Sequence, residues 1–201
     1  MSARAKPFMS QQDYLADERA SEIKHEYYAG ERYAMAGASE RHNMIAINIG
    51  ASLHSQLRRR ACNVYPSDMR VKVNALGFYT YPDISVVCGA PQFEEQRRDT
   101  LLNPTLLIEV LSPSTENYDR GRKFQMYRTL PSLAEYLLVA QDGIHIEHYT
   151  RQPDGRWVLF ESDQLDAVFQ LAAIDCTLSA ADVYEKVIFD ATNSSEALSH
   201  D

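Results

Sequence analysis

The chain has 201 residues, 45% of them apolar, and a formal net charge of −8. That length suits one domain with a full hydrophobic core, and the apolar share excludes a disordered chain. The acidic balance excludes a protein that grips nucleic acid with its whole surface, and no run approaches the roughly 18 apolar residues of a membrane-spanning helix.

In chain order, residues 10–26 read as a helix, with Ser10 as cap and Asp13 three residues on. Residues 26–35 read as strand, turn, strand around Gly30. A long helix is expected over 40–60, where Met44, Ile45, Ile47, Ile49, Leu53 and Leu57 recur at roughly helical spacing. Residues 69–73 alternate as a half-exposed strand, and 79–87 read as one more buried strand with Pro82 marking an edge position or an irregular entry. Residues 89–103 read as a polar loop. The most apolar strand covers 105–111, and Ser114 or Thr115 caps a helix that runs to Leu130 and stops at Pro131. Strands follow at 134–139, at 144–150 after the Asp142-Gly143 turn, and at 157–161 after Pro153-Asp154-Gly155. A short last helix begins near Ser179. The expected fold is mixed α/β, a mixed β-sheet flanked by helices with extra C-terminal hairpins, as one domain over 8–189 with tails at 1–7 and 190–201.

The three cysteines, Cys62, Cys88 and Cys176, are odd in number and far apart. Neither a disulfide framework nor a cysteine-rich zinc site is expected, and a reducing cytoplasm fits. The basic N-terminus has no apolar segment behind it to make a signal peptide.

Two carboxylates stand where carboxylates are costly. Asp83 lies in Tyr81-Pro82-Asp83-Ile84-Ser85-Val86-Val87, and Glu109 in Leu106-Leu107-Ile108-Glu109-Val110-Leu111. A lone buried carboxylate costs several kcal/mol unless paired, hydrogen-bonded or bound to a cation. Two on strands that could be neighbours point to Mg²⁺ or Mn²⁺, hard cations that take one or two protein carboxylates and several waters. Glu26, placed near the end of the first helix, is the candidate third ligand, with Asp68 next. Metal-assisted phosphodiester cleavage also needs a group that stabilises charge on the phosphate. Lys123, early on the helix after the Glu109 strand, is the candidate, with Arg120, Arg122 and Gln125 near it. His42 reads as a helix-terminus or core histidine, and His145 and His148 as sheet-surface residues. Tyr27, Tyr28, Tyr79, Tyr81 and Tyr127 read as core or interface. Ser112 and Ser114 lack the surroundings of a hydrolase nucleophile.

Pro82-Asp83, Glu109-Val110-Leu111-Ser112-Pro113-Ser114-Thr115, Asp119-Arg120-Gly121-Arg122-Lys123-Phe124, Tyr127, Pro131 and Glu135-Tyr136 together resemble the Uma2 family, in the PD-(D/E)XK, or restriction-endonuclease-like, superfamily. Glu26 with Gly30-Glu31, and Ser39 with His42, resemble its N-terminal pattern, so the likeness runs from about residue 8 to 188. The resemblance implies Mg²⁺-dependent hydrolysis of DNA, with Asp83 and Glu109 as metal-binding acids and Glu26 as the acid that some members add. One position departs from the superfamily. The lysine normally two residues after the second acid is Leu111 here, and Lys123 resembles its substitute. Two other readings stand beside this one. The first is a nuclease-like module that binds nucleic acid or protein without cutting. The second is an oligomeric structural protein, since edge strands and a tyrosine-rich surface allow a homodimer.

Overall fold

The computed structural model describes residues 8–73 and 76–189; the expected tails at 1–7 and 190–201 lie outside them. Helix α1 covers Gln11–Ala20, with the Ser10 side chain accepting from the Asp13 N–H. It is shorter than expected and ends before Glu26, which lies instead on strand β1 (His25–Tyr28). Strand β1 turns through Gly30, at φ +87°, into β2 (Glu31–Ala34). Helix α2 (Glu40–Leu57) starts at Ser39, whose hydroxyl accepts the His42 N–H, and buries Ile45, Ile49, Leu53 and Leu57; Ile47, two residues from Ile45 and Ile49, falls on the opposite face and is exposed.

The remaining strands form two sheets and a hairpin. β3 (Cys62–Pro66), β6 (Ile84–Cys88), β8 (Leu106–Leu111), β9 (Glu135–Ala140), β10 (Ile146–Arg151) and β11 (Trp157–Ser162) make a six-stranded sheet in the order β11-β10-β9-β8-β6-β3. Only β8 and β9 pair in parallel within it. β1 and β2 join β4 (Arg70–Val73), β5 (Phe78–Thr80) and β7 (Thr100–Leu101) in a second sheet, ordered β2-β1-β5-β4-β7. β12 (Val168–Leu171) and β13 (Cys176–Ser179) form a hairpin, followed by α5 (Ala180–Val183).

Alternation along the central strands sorts the core into two layers. Leu106, Ile108 and Val110 join α2, α5 and the β12–β13 hairpin on one face. Leu107 and Leu111 join Phe124, Met126, Tyr127 and residues of the five-stranded sheet on the other. Glu109 falls between Leu107 and Leu111 and shares their face.

Several expectations are corrected. Residues 79–87 are not one strand: β5 ends at Thr80 in one sheet, and β6 begins at Ile84 in the other. Pro82, which has no N–H to give a ladder, lies at the crossing. β4 is mostly buried rather than half-exposed, because it is an inner strand. β3, β7 and the β12–β13 hairpin were not anticipated; their patterns are short and mixed.

The helix expected from Thr115 to Leu130 is broken. α3 (Glu116–Tyr118) gives way to a π-helical turn over Asp119–Lys123, then α4 (Phe124–Tyr127). Thr115 occupies the cap without a side-chain cap bond.

Cys62 and Cys88 form a disulfide, against expectation. They are 26 residues apart in sequence, yet the β3–β6 register sets them directly opposite, with Cα atoms 4.0 Å apart. Among the described residues no helix is long and apolar enough to cross a membrane.

A buried lysine among carboxylates as candidate active site

The crossing from β5 to β6 is where the site forms. Ile84 pairs with Ile108 in the antiparallel β6–β8 ladder, so the next residues along, Asp83 and Glu109, come side by side. The Val110 N–H donates to Asp83 Oδ2 at 2.7 Å, and His42 Nε2, from the first turn of α2, lies 3.2 Å from the same oxygen. The Tyr127 hydroxyl donates to Glu109 Oε1 at 2.7 Å.

Lys123 is buried at the centre. Its Nζ lies 2.8 Å from Glu109 Oε1, 3.2 Å from Glu26 Oε1 and 3.4 Å from Asp119 Oδ1. The π-helical turn matters here. An inserted residue re-aims the side chains that follow, a device frequent at functional sites, and both Asp119 and Lys123 face inward from it. Glu26 reaches the cluster from β1, held by the Thr80 hydroxyl and, on Oε2, by the Tyr118 hydroxyl at 3.3 Å.

The electrostatics follow from burial. Loss of water pushes the Glu109 carboxyl up to about 8; the Lys123 ammonium opposes this, while Asp119 and Asp83 add to it. Burial also penalises the Lys123 ammonium, but Glu109 and Glu26 outweigh it and hold that charge well above the usual lysine range. Burial pulls the His42 ring down; the bond and charge of Asp83 outweigh it, so its pKa ends above the usual value. Burial raises the Asp119 carboxyl too, against Lys123.

The structure therefore brings together Asp83, Glu109, Lys123 and Glu26, all named from sequence. It leaves Asp68 outside: that side chain is exposed and paired with Lys24. Arg120 is engaged by Glu116 and Glu147, while Arg122 lies over the Tyr28 ring and Gln125 is exposed. Leu111 is core, so Lys123 supplies the only lysine ammonium recorded against Glu109 among the described residues. His148 is buried, with Nε2 3.7 Å from Glu135, rather than on the sheet surface; β12–β13 covers it, as its ring contact with Phe169 shows.

Five site residues were not foreseen as such: His42, Asp119, Thr80, Tyr118 and Tyr127. Asp119 had a readable signal, its i,i+4 spacing from Lys123. The others depend on the sheet crossing.

Among the described residues no three His, Cys, Asp or Glu side chains are grouped to hold a metal ion. The donor set still fits Mg²⁺ or Mn²⁺ as a two-carboxylate site. These ions take one or two carboxylates and fill the rest of their shell with water or phosphate oxygen. Both Asp83 contacts above fall on Oδ2, and both Glu109 contacts on Oε1.

The model of the Uma2 family, described as "putative restriction endonuclease", matches residues 11–181. The chain belongs to the Uma2 family. It is 34% identical over 185 residues to the uncharacterized protein slr1290 of Synechocystis sp. (strain ATCC 27184 / PCC 6803 / Kazusa), covering 91% of this chain and 95% of that one. It is 37% identical over 149 residues to the uncharacterized protein sll1609 of the same organism, covering 74% and 84%. Its fold is similar to a crystal structure described as a putative nuclease belonging to DUF820 from Anabaena variabilis ATCC 29413. The TM-score is 0.73 at 19% identity, over 90% of this chain and 99% of that one. The fold is thus nuclease-like.

Proposed function

We propose that this Uma2 protein is a Mg²⁺- or Mn²⁺-dependent DNA endonuclease that hydrolyses phosphodiester bonds. The observation that carries this reading is the side-by-side placement of Asp83 and Glu109 on adjacent strands with a buried, charged lysine 2.8 Å from one of them.

Asp83 and Glu109 would hold the cation. When bound, it supplies an acidified water and positive charge against the phosphate oxygens. The protein's own groups do the rest. The Val110 N–H and His42 orient Asp83, and the Tyr127 hydroxyl orients Glu109. Lys123 keeps its proton and offers N–H donors to the charge that grows on the phosphate. Glu26 and Asp119 fix that ammonium. Glu26 thus acts on the lysine rather than on the cation.

The test is cleavage of supercoiled plasmid and of labelled single- and double-stranded oligonucleotides with Mg²⁺ or Mn²⁺. Asp83→Ala and Glu109→Ala should each abolish cleavage and weaken Mn²⁺ binding in calorimetry. Variants that cut as fast as wild type would sink the proposal.

A second reading, a nuclease-like module that binds without cutting, is favoured by one observation: three carboxylates already surround Lys123. Retention of DNA with no metal-dependent cleavage on any substrate would select it.

A further inference from the structure

The six-stranded sheet ends on one side in β11, a strand unlike the other sheet edges. An open edge presents unpaired N–H and C=O groups, and proteins blunt such edges with proline, charge or brevity. At the far end of the same sheet, β3 finishes at Pro66 and is pinned by the Cys62–Cys88 disulfide. In the five-stranded sheet, β2 carries Glu31 and Arg32 and β7 has two residues. β11 has neither proline nor brevity, and its single charge, Glu161, stands near its end. It is six residues long, without proline or lysine, and three successive apolar side chains are exposed: Val158 at 52%, Leu159 at 43% and Phe160 at 55%.

We infer that β11 pairs antiparallel with β11 of a second copy of this chain, about a two-fold axis through Leu159. Residues facing each other across a ladder must project on the same face of the sheet. For a two-fold antiparallel pair, this requires one residue to face itself. With Leu159 on the axis, Leu159 meets the partner's Leu159, and Val158 meets the partner's Phe160 on both sides. The Val-Leu-Phe run is thus complementary to itself, as a closed two-fold contact demands.

The charges choose the same direction. Arg156 precedes the strand, and Glu161 and Asp163 lie at its other end. Antiparallel pairing sets each basic end beside the partner's acidic end, whereas parallel pairing would set like beside like. Arg156 is 81% exposed, and its bond to Asp154 within its own turn is a surface pair of small worth. The contact would join two six-stranded sheets into one continuous sheet and cover the apolar run on both copies.

The inference is independent of metal binding and cleavage, and its test is the mass in solution. Sedimentation equilibrium of the whole chain should give twice 22.9 kDa. Leu159→Glu and Leu159→Lys should each fall to the monomer mass, because the axis sets like charge against like charge, weakening association at least about 100-fold. Each variant should keep the wild-type circular dichroism, since the site is an exposed edge. Mixing the two variants should restore a dimer containing one of each. A monomeric wild type, a dimer that survives both substitutions, or a mixture that stays monomeric would overturn the inference.

Discussion

Lys123 Nζ lies 2.8 Å from Glu109 Oε1, both side chains buried, although Glu109 is on strand β8 and Lys123 closes the π-helical turn. A buried pair of this kind is weak evidence for stability, because desolvation of both charges offsets their attraction. Breaking it is a different matter. The charge left behind is buried and unpaired.

Lys123→Met should therefore destabilise the fold by about 3–5 kcal/mol, read by urea unfolding, and abolish cleavage. The double variant Lys123→Met, Glu109→Gln should recover part of that stability, since it removes both ends of the pair, while cleavage stays absent. Recovery of neither stability nor cooperativity would show that the loss is not one of an uncompensated charge.

His42→Ala should weaken Mn²⁺ binding by about 10–100-fold, the usual effect of removing a group that orients a metal-binding carboxylate. His42 reaches Asp83 from α2 and is not a member of the apolar cluster that Ile45 and Ile49 join. Unfolding by urea should thus shift little. Unchanged Mn²⁺ affinity in calorimetry would remove His42 from the site.

Acid should loosen the contact between α1 and the loop before β7. Burial raises the Asp99 carboxyl, but the Arg19 bond and the Arg70 charge outweigh it and leave its pKa below the ordinary value. A depressed pKa means that the stabilisation is whole above the unfolded-state value, near 3.9, and fades as pH falls through the folded value. Asp99→Asn should flatten the fall in stability across that acid window and lower stability at neutral pH. A fall as steep as that of the wild type would argue against it.

Reduction of Cys62–Cys88 should lower stability by about 2–4 kcal/mol, the common range for a bridge closing a loop of this order. The 26-residue separation sets the size of the loop. Urea unfolding with and without dithiothreitol, beside the Cys62→Ala, Cys88→Ala variant, reads it. Identical midpoints in all three would refute the contribution.

The amino-acid sequence by itself determined the local features and the chemistry of the centre. The 3.6-residue recurrence of Ile45, Ile49, Leu53 and Leu57 specified α2, because one helix face must be apolar to pack. Asp83 and Glu109 were legible because ionised groups do not belong in apolar strands, and Lys123 because charge on a phosphate needs a basic group and Lys123 follows the Glu109 strand. Tertiary structure alone decided the rest. Residues 79–87 read as one run, yet a sheet crossing at Pro82 divides them, and hydrophobicity carries no record of which sheet a strand joins. Glu26 reaches Lys123 only because β1 pairs beside β5. The Cys62–Cys88 bridge depends on a register between strands distant in sequence. The π-helical turn that aims Asp119 and Lys123 inward is a one-residue change of phase, which no periodicity so short can reveal.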